Sequence, residues 1–438
     1  MIDKPATPGE RLADTLNRDC HCIDVDSAAL LERLAAHLGG SGIAGSPLEL
    51  RGYPFAASPV FVWRGHVDAM ARFVTTFESV VADERVRERL LDSAPAVARS
   101  DFGTRGVFFA YDFHLGPGSP QLIEINTNAG GVLLNLYLAA AQQACCAEVD
   151  SFFGGQTDFD AVEREIVGMF REEWHLQRGE QALETIAIVD VAPETQPLYA
   201  EFVLFRAMFR RSGLDALIVD RNNLEFSNGA LRAGGRRIDL VYNRLTDFYL
   251  QEPESAALRA AYESGAVVLT PAPRHYALFA DKRSLPLFSD AAALRALGID
   301  GERIAVLNAY LPAATRVTRD DAERLWANRK KLFFKPATGY GSRGTYRGAK
   351  LTRRVWEEIL NSDYIAQAEV PPGERRIRID GEYRSLKVDI RCITYRGRIQ
   401  QLSARLYQGQ TTNLRTAGGG LATVFATPAL ADFAGDPG

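Results

Sequence analysis

Between residues 184 and 220 the chain alternates between apolar and amphipathic segments. ETIAIVDV (184–191) and DALIVD (215–220) are short apolar runs, and the segment 198–212 between them has helical spacing. This order favours two parallel strands joined by a helix that packs on the sheet, because parallel strands need a long crossover connection. The sequence therefore predicts an α/β fold that contains a small parallel sheet.

The composition is typical of a globular chain with several domains. The chain has 438 residues, 46% of them apolar, which at about 150 residues per domain indicates two or three domains. A net charge of −4 gives no electrostatic reason to expect nucleic acid or an anionic membrane as a partner. No apolar run reaches the roughly 18 residues of a membrane span, and the charged N-terminal segment lacks the pattern of a signal peptide. We therefore expect a protein of the reducing cytoplasm.

A hairpin is predicted between residues 106 and 126. GVFFAYDFHL has strand periodicity, GPGSP is a turn, and QLIEIN returns as a second strand. Asp112 lies on the first strand, and Glu124 and Asn126 share one face of the second because side chains alternate. Two carboxylates and an amide oxygen are hard ligands suited to Mg²⁺. We predict a metal site here; the alternative is that these side chains face solvent.

A lysine precedes a glycine-rich segment between residues 332 and 348. Lys335 lies near the end of the apolar strand LFFKP, and glycines follow at positions 339, 341, 344 and 348. Glycine lets backbone N–H groups approach a phosphate closely. The segment is not a P-loop, and its G-x-G-x-x-G letters lack a following helix. On these residues alone, a nucleotide-binding loop and a surface hairpin remain equally open.

Two later segments give weaker signals. YIAQAEVPP (364–372) is a short strand with backbone groups for an adenine edge, although an edge strand before a proline turn fits better when the segment is taken alone. The segment 397–425 carries Arg405 and Asn413 ahead of three consecutive glycines. That arrangement fits either a substrate or phosphate loop or a flexible connection.

The cysteines do not favour a zinc site. Cys20 and Cys22 are spaced too closely for the usual zinc motifs, and Cys145 and Cys146 lie far away in the sequence. Five cysteines are also too few for a disulfide framework in a chain of this length. His114 either lines the hairpin site or is a structural histidine.

Taken in order, these segments resemble the ATP-grasp ligases, and within them the circularly permuted branch of eukaryotic glutathione synthetase and glutathionylspermidine synthetase. IEINTNAGG (123–131) resembles the metal-binding strand, ALFADKRSL (277–285) the first nucleotide lysine, and FFKPATGYGSRG (333–344) the second lysine and its loop. YIAQAEVPP resembles the adenine hinge, and ARLYQGQTTNLRTAGGGLATV (404–424) the late strand and loop at the ligand. The matching blocks extend from about Arg99 to Thr427.

The resemblance implies a circularly permuted ATP-grasp fold of the α/β class, with an inserted small parallel-sheet substrate domain. It implies an N-terminal helical region with the metal hairpin (1–180), a substrate-binding domain (181–274) and a nucleotide-binding and lid region (275–438). It further implies a carboxylate–amine ligase that uses ATP and Mg²⁺, forms an acyl phosphate and joins small acid and amine substrates. Phosphoryl transfer needs positioning and charge neutralisation rather than a nucleophilic side chain, and none is evident in the sequence.

The resemblance also assigns roles to individual residues. Lys335 and Arg405 are expected to be catalytic. The expected metal ligands are Asp112, Glu124 and Asn126, with Asp101 as the alternative to Asp112. The expected substrate contacts are Arg99, Arg244 and Asn413. The expected nucleotide-binding residues are Lys282, Lys335, Gly339, Tyr340, Gly341, Ser342, Gly344, Gln367, Glu369 and Asp389.

The chain departs from the family pattern in two places. Members of the branch often carry an arginine two residues before the first metal aspartate, where this chain has Ala110. Some also place a metal-binding glutamate in the glycine-rich loop, which has none here, so Asp389 becomes a candidate for a second metal. A non-catalytic nucleotide-binding module therefore stays the alternative to a ligase.

Overall fold

The computed structural model describes residues 6–21, 23–25, 30, 55–56, 58–116, 118–144, 158–339, 344–412 and 416–427. None of the helices in these ranges combines the length and the apolar character that a membrane crossing requires. The longer helices are Pro8–Asp19, Arg64–Val81, Glu84–Leu91, Val132–Ala140, Phe159–Arg178, Tyr199–Arg211, Ala256–Glu263, Ala291–Ala296, Gly301–Tyr310, Ala322–Asn328 and Arg353–Leu360. Two short helical turns are Pro273–His275 and Leu285–Phe288.

A large sheet combines strands from both ends of the chain. Its order is β2-β20-β19-β18-β3-β4, and β17 pairs with the first half of β18. The strands are β2 (Val60–Trp63), β3 (Phe109–His114), β4 (Gln121–Asn126), β17 (Gly373–Ile379), β18 (Glu382–Tyr395), β19 (Arg398–Tyr407) and β20 (Gly420–Thr427). A short pair, β1 (Ile23–Val25) with β5 (Gln142–Ala144), lies apart from it.

The two faces of the large sheet differ in character. On one face, Tyr111 and Phe113 pack edge-on against Phe73 of the helix Arg64–Val81, and all three rings are fully buried. Because side chains alternate along a strand, Asp112 points to the opposite face. That second face is polar near the ends of β3, β4, β18 and β19, and it forms one wall of the site described below.

The hairpin predicted between residues 106 and 126 is confirmed. β3 and β4 pair antiparallel, with Asp112 opposite Glu124 and Ala110 opposite Asn126. The register shifts between Asp112 and Phe113, so the strand carries a bulge directly beside the polar residues. A bulge re-aims the neighbouring side chains and is common next to functional sites.

A second sheet consists of parallel strands only. Its order is β12-β11-β6-β7. The helix Tyr199–Arg211 connects β6 to its neighbour β7. The strands are β6 (Thr185–Asp190), β7 (Asp215–Asp220), β11 (Leu240–Asn243) and β12 (Val268–Thr270). The predicted parallel sheet is thus confirmed. The domain boundaries, the circular permutation and the status of this sheet as an inserted domain stay predictions.

The small antiparallel sheet β13-β16-β14-β15 has a hydrophobic cluster of its own. Phe334 on β14 packs against Trp356 of the helix Arg353–Leu360, and both are at most 2% exposed. Its strands are β13 (Ala314–Arg316), β14 (Leu332–Pro336), β15 (Tyr346–Arg347) and β16 (Tyr364–Ala368). A three-stranded antiparallel sheet of order β10-β9-β8 comprises β8 (Leu224–Ser227), β9 (Ala230–Ala233) and β10 (Arg236–Arg237).

One helix is shorter than its apolar run suggests. The segment 132–144 predicts a single helix, but the helix ends at Ala140 and residues Gln142–Ala144 form β5. The pairing partner of β5 is β1, which lies far away in sequence. A helix end that is set by such a distant partner leaves no signal in the local pattern.

Candidate active site

A cleft of about 270 Å³ lies between the small sheet and the polar face of the large sheet. The small sheet contributes β14 and β16, and the large sheet contributes β3, β4, β18 and β19. The cleft is lined by many of the predicted site residues: Asp112, Glu124, Lys282, Lys335, Gly339, Gln367, Glu369, Asp389 and Arg405. His114, for which the sequence left two alternatives, also lines it.

Lys335 is held at the base of this cleft. It lies near the end of β14, is 5% exposed, and donates from Nζ to the carbonyl oxygen of Ile123 and to Oε1 of Gln367, both at 2.7 Å. Burial lowers the pKa of Lys335 to about 8, and the neighbouring Glu124 limits that decrease. An ammonium group has three donors, so one N–H remains for a ligand in the cleft.

Lys282 reaches the same space from a different segment. Its Nζ donates to the carbonyl oxygen of Gly339 at 3.2 Å and lies 3.9 Å from Oε2 of Glu124. The preceding residue, Asp281, accepts a 2.6 Å hydrogen bond from the hydroxyl of Tyr249 and is also bonded to Arg283. These contacts fix the backbone from which Lys282 projects. Two lysines from separate segments thus converge near Glu124, an arrangement suited to a polyanion.

Asp112 is surrounded by donors. Arg391 binds it with two hydrogen bonds of 2.7 and 2.8 Å, and Arg405 adds one of 2.8 Å. Asp112 is 1% exposed; burial would raise its pKa, but the two guanidinium groups hold that pKa below the ordinary value. Arg405 also donates to Asp389 at 2.6 Å, and Thr412 donates to the other oxygen of Asp389 at 2.6 Å. The two aspartates and two arginines therefore form one hydrogen-bonded network along the sheet.

Glu124 and Asn126 stand beside this network on β4. The amide of Asn126 donates to Asp112 at 3.1 Å and to Glu124 at 3.4 Å, so all three predicted metal ligands lie together. Burial would raise the pKa of Glu124, but Lys282 and the other nearby cations keep it below the ordinary value, and the group stays a carboxylate.

The donor set fits a magnesium ion that is shared with phosphates. In the part of the chain that the structure describes, no three His, Cys, Asp or Glu side chains form a complete metal site. Mg²⁺ commonly takes only one or two protein carboxylates and completes its shell with phosphate oxygens and water. Glu124 and the amide oxygen of Asn126 can supply those protein ligands, whereas Asp112 is already hydrogen-bonded to both arginines.

The segment predicted to bind adenine lines the rim of the cleft. Gln367 is 2% exposed on β16, and Glu369 pairs with Arg347 at 2.7 Å. His114 is bonded through Nδ1 to the carbonyl oxygen of Val370 at 2.8 Å, which ties this segment to β3. Burial lowers the pKa of His114, so the ring is neutral near pH 7.

Comparison with known proteins bears on the fold. No protein-family model matches the chain, and no curated protein matches it in sequence. A solved structure of a glutathione synthetase-like effector from Globodera pallida, in its apo form, aligns with 92% of this chain and 98% of its own at 12% identity and a TM-score of 0.51. The chain has an ATP-grasp fold of the glutathione synthetase type.

Two other solved structures are more distant. A candidate γ-glutamylcysteine synthetase of Methylobacillus flagellatus KT is 9% identical, with 84% of this chain and 89% of its own aligned and a TM-score of 0.47. The ATP-grasp ligase PsnB, complexed with minimal precursor, Mg and ADP, is 17% identical. The alignment covers 57% of this chain and 92% of the PsnB chain, with a TM-score of 0.29. The function is therefore argued from the cleft and not from these two structures.

Three residues that the sequence analysis predicted for the site do not line the cleft: Arg99, Asp101 and Arg244. Arg99 is exposed outside it, and Asp101 pairs with Arg274 at 2.9 Å instead of approaching Glu124. Asp112, not Asp101, is therefore the carboxylate beside Glu124. Arg244 is 6% exposed and donates from Nη1 to the carbonyl oxygens of Asn128, at 3.2 Å, and Ala129. Arg244 braces the loop after β4, and a contact with substrate remains only a prediction.

Some predicted residues lie outside the described part of the chain. These are Tyr340, Gly341, Ser342 and Asn413, together with Cys22, Cys145 and Cys146. Gly344 is described and does not line the cleft; its carbonyl oxygen accepts a 2.9 Å hydrogen bond from the hydroxyl of Tyr364.

Arg391 belongs to the network around Asp112 but was not predicted from the sequence motifs. It lies on β18 directly opposite Asp112, and the family arginine expected at position 110 is replaced by Ala110 on the adjacent strand. A signal for it was present in the sequence KVDIRCI (387–393), where Lys387, Asp389 and Arg391 alternate with apolar residues. That period of two puts all three on one face of a strand. What the pattern could not show is that this face meets Asp112.

Proposed function

We propose that this protein is an ATP-dependent carboxylate–amine ligase that binds ATP and Mg²⁺ in the cleft. One observation carries the proposal. Lys335, Lys282 and Glu124 line a single cleft together with Arg405, and Asn126 lies beside Glu124. Cations for the phosphates, oxygen ligands for a divalent ion and a fixed guanidinium are the parts that phosphoryl transfer requires.

Each part has a role in the proposed reaction. Lys335 and Lys282 bind the phosphates, and the segment from Gln367 to Glu369 borders the adenine. Glu124 and Asn126 would hold a magnesium ion, which would supply positive charge to offset that of the transferred phosphoryl group. Arg405 is already fixed by Asp112 and Asp389. A fixed guanidinium stabilises developing negative charge without reorganising when the reaction occurs.

The chemistry proceeds in two steps. A carboxylate oxygen of the acid substrate attacks the γ-phosphorus of ATP, which forms an acyl phosphate and releases ADP. The amine of the second substrate then attacks the acyl carbon, a C–N bond forms, and phosphate leaves with the bonding electron pair. Both nucleophiles belong to the substrates. The protein therefore acts by positioning and by electrostatic stabilisation.

The proposal is tested by ADP release from ATP and Mg²⁺ against a panel of amino acids and short peptides, offered singly and in pairs. A ligase releases ADP in proportion to a coupled product that mass spectrometry identifies. Hydroxylamine serves as a general amine, because it converts an acyl phosphate into a hydroxamate that is detected directly. Hydroxamate formed with a particular acid would also identify the substrate that is activated.

Two results would contradict the proposal. Nucleotide binding without acid-dependent turnover across the panel would leave the non-catalytic nucleotide-binding module as the better description. Absence of nucleotide binding, measured by calorimetry with the non-hydrolysable analogue AMPPNP, would remove the cleft assignment altogether.

A further inference from the structure

Asp112 differs from the other predicted metal ligands in the number of donors around it. Its Oδ1 accepts from Nε of Arg391, and its Oδ2 accepts from Nη2 of Arg391, Nη2 of Arg405 and Nδ2 of Asn126. A carboxylate offers about four lone-pair positions. Three donors thus crowd Oδ2 and one binds Oδ1, so both oxygens of this side chain already accept hydrogen bonds.

We propose that Arg391 withholds Asp112 from the metal site, so that, of the three metal ligands expected from the sequence, Glu124 and Asn126 bind the divalent ion and Asp112 does not. The inference rests on the metal assignment within the proposed function, but it does not require that the protein catalyse the joining of an acid and an amine. It replaces the three-ligand site expected from the sequence by a two-ligand site with a positioning arginine.

The register of the large sheet places Arg391 directly beside Asp112. The two residues are direct partners on the adjacent strands β18 and β3, and Asp112 is in turn opposite Glu124 on β4. Neighbouring strands place such side chains within reach of each other on one face. The bidentate geometry, with N–O distances of 2.7 and 2.8 Å, is the strong form of an arginine–carboxylate pair.

Glu124 has a different environment, which leaves it available. Its carboxylate receives a 3.4 Å contact from the amide of Asn126, and the nearest ammonium, that of Lys282, is 3.9 Å away. Its side chain is 31% exposed, whereas that of Asp112 is 1% exposed. Glu124 can therefore accept a cation from the cleft without breaking a short hydrogen bond. Asp112 cannot.

The consequence for the site is electrostatic. Arg391 neutralises a buried carboxylate that would otherwise add to the negative charge facing a metal ion. A cation near Asp112 would also be repelled by the guanidinium groups of Arg391 and Arg405, since like charges a few ångströms apart interact strongly away from bulk water. The divalent ion is thus confined to the Glu124 side of the network.

Binding of Mn²⁺ to the nucleotide-free, full-length protein tests the proposal, with free Mn²⁺ followed by electron paramagnetic resonance. Wild type should bind Mn²⁺ weakly. Arg391→Met removes the hydrogen bond to Oδ1 of Asp112 and one of those to Oδ2. We expect its Mn²⁺ affinity to rise at least about tenfold, the effect of one added charged ligand. Arg391→Lys keeps a positive charge but cannot bind the carboxylate in a bidentate manner. Its Mn²⁺ affinity should lie between those of wild type and Arg391→Met.

Two controls assign the gain to Asp112. The double variant Arg391→Met with Asp112→Asn should return to the wild-type affinity. Arg398→Met changes an exposed arginine on β19 away from the cleft and should leave Mn²⁺ binding unchanged. Circular dichroism spectra and melting curves of every variant verify that it is folded.

Two outcomes would overturn the inference. The first is an unchanged Mn²⁺ affinity in folded Arg391→Met and Arg391→Lys. The second is a tenfold loss of affinity on Asp112→Asn in the wild-type background, which would show that Asp112 already binds the ion; this measurement decides the question even if the Arg391 variants do not fold. Neither result needs nucleotide or substrate, so a failure here is distinguishable from absent AMPPNP binding or absent ligation.

Discussion

Lys335 donates a 2.7 Å hydrogen bond from Nζ to the carbonyl oxygen of Ile123, the residue directly before Glu124. This bond joins β14 of the small sheet to β4 of the large sheet across the cleft. The lysine proposed to bind phosphate and the strand proposed to bind metal are therefore held at a fixed spacing before any ligand enters. Preorganisation of this kind reduces the entropy lost on binding.

Removing either lysine should weaken nucleotide binding. Lys335→Ala and Lys282→Ala are each expected to reduce the free energy of AMPPNP binding by about 1.5–3 kcal/mol, the usual contribution of a hydrogen bond to a charged group. Isothermal titration calorimetry measures the change. Lys331→Ala, an exposed lysine just before the same strand, is the matched control and should bind as wild type does. Unchanged affinity in both cleft variants would refute the phosphate assignment.

Glu124→Gln should impair turnover much more than folding. The substitution keeps the shape of the side chain and removes the charge that is proposed to bind the metal. Turnover is expected to fall by at least about a hundredfold, as for loss of a major electrostatic contribution, whereas the melting temperature without nucleotide should change little. ADP release measures the change in turnover, and thermal melts measure the change in melting temperature. Near-normal turnover of Glu124→Gln would contradict the metal assignment. The control is Glu225→Gln, at an exposed position of β8, which should keep the turnover of wild type.

Asp112→Ala should destabilise the folded protein itself. The change leaves Arg391 and Arg405, whose side chains are each 13% exposed, without their shared carboxylate. Removal of one partner from a buried ion pair typically costs about 3–5 kcal/mol. Urea unfolding of the metal-free protein measures the loss, with the exposed Asp320→Ala as the control. If Asp112 acted only as a metal ligand, the metal-free protein would keep its stability, and that result would count against the network.

Glu78 should make stability depend on pH. Burial raises the pKa of Glu78 from 4.5 to about 7, although its hydrogen bonds to Tyr111 and Gly397 oppose the change. Because the folded pKa is the higher one, the stabilisation from neutral Glu78 is complete below about pH 4.5 and is lost as the pH rises through 7. Glu78→Gln should thus exceed wild type in stability at pH 8 by roughly 1–3 kcal/mol, and match it at pH 4.5.

Urea unfolding of wild type and Glu78→Gln at several pH values checks this expectation. Glu88→Gln, on an exposed face of the next helix, controls for the loss of one negative charge. Equal stability differences at pH 4.5 and pH 8 would show that Glu78 does not titrate differently in the folded and unfolded states.

Local periodicity was sufficient for the elements that carry the site. The period of two in QLIEIN predicts β4 from Gln121 to Asn126 with the observed bounds, and it places Glu124 and Asn126 on one face. The strand LFFKP likewise delivers Lys335 to the cleft. These results follow from neighbouring residues, because alternation along a strand decides which side chains share a face.

The same information left the partners of those residues undecided. The predicted hairpin favoured Asp112 beside Glu124 and left Asp101 as the alternative, and the antiparallel register of β3 and β4 pairs Asp112 with Glu124. Arg99 and Arg244 have residue types suited to substrate, yet neither lines the cleft. Arg244 instead holds the loop that follows β4, a contact between segments that are distant in sequence.

The sequence by itself determined the α/β class, the hairpin and the parallel sheet, because each of these depends on patterns within a few tens of residues. Only the tertiary structure decided that Arg391 binds Asp112, since 279 residues separate them and their contact exists only because β18 lies beside β3. A charged side chain acquires its role from the groups that face it in a medium of low dielectric constant. Those groups are chosen by strand order, which the local pattern does not encode.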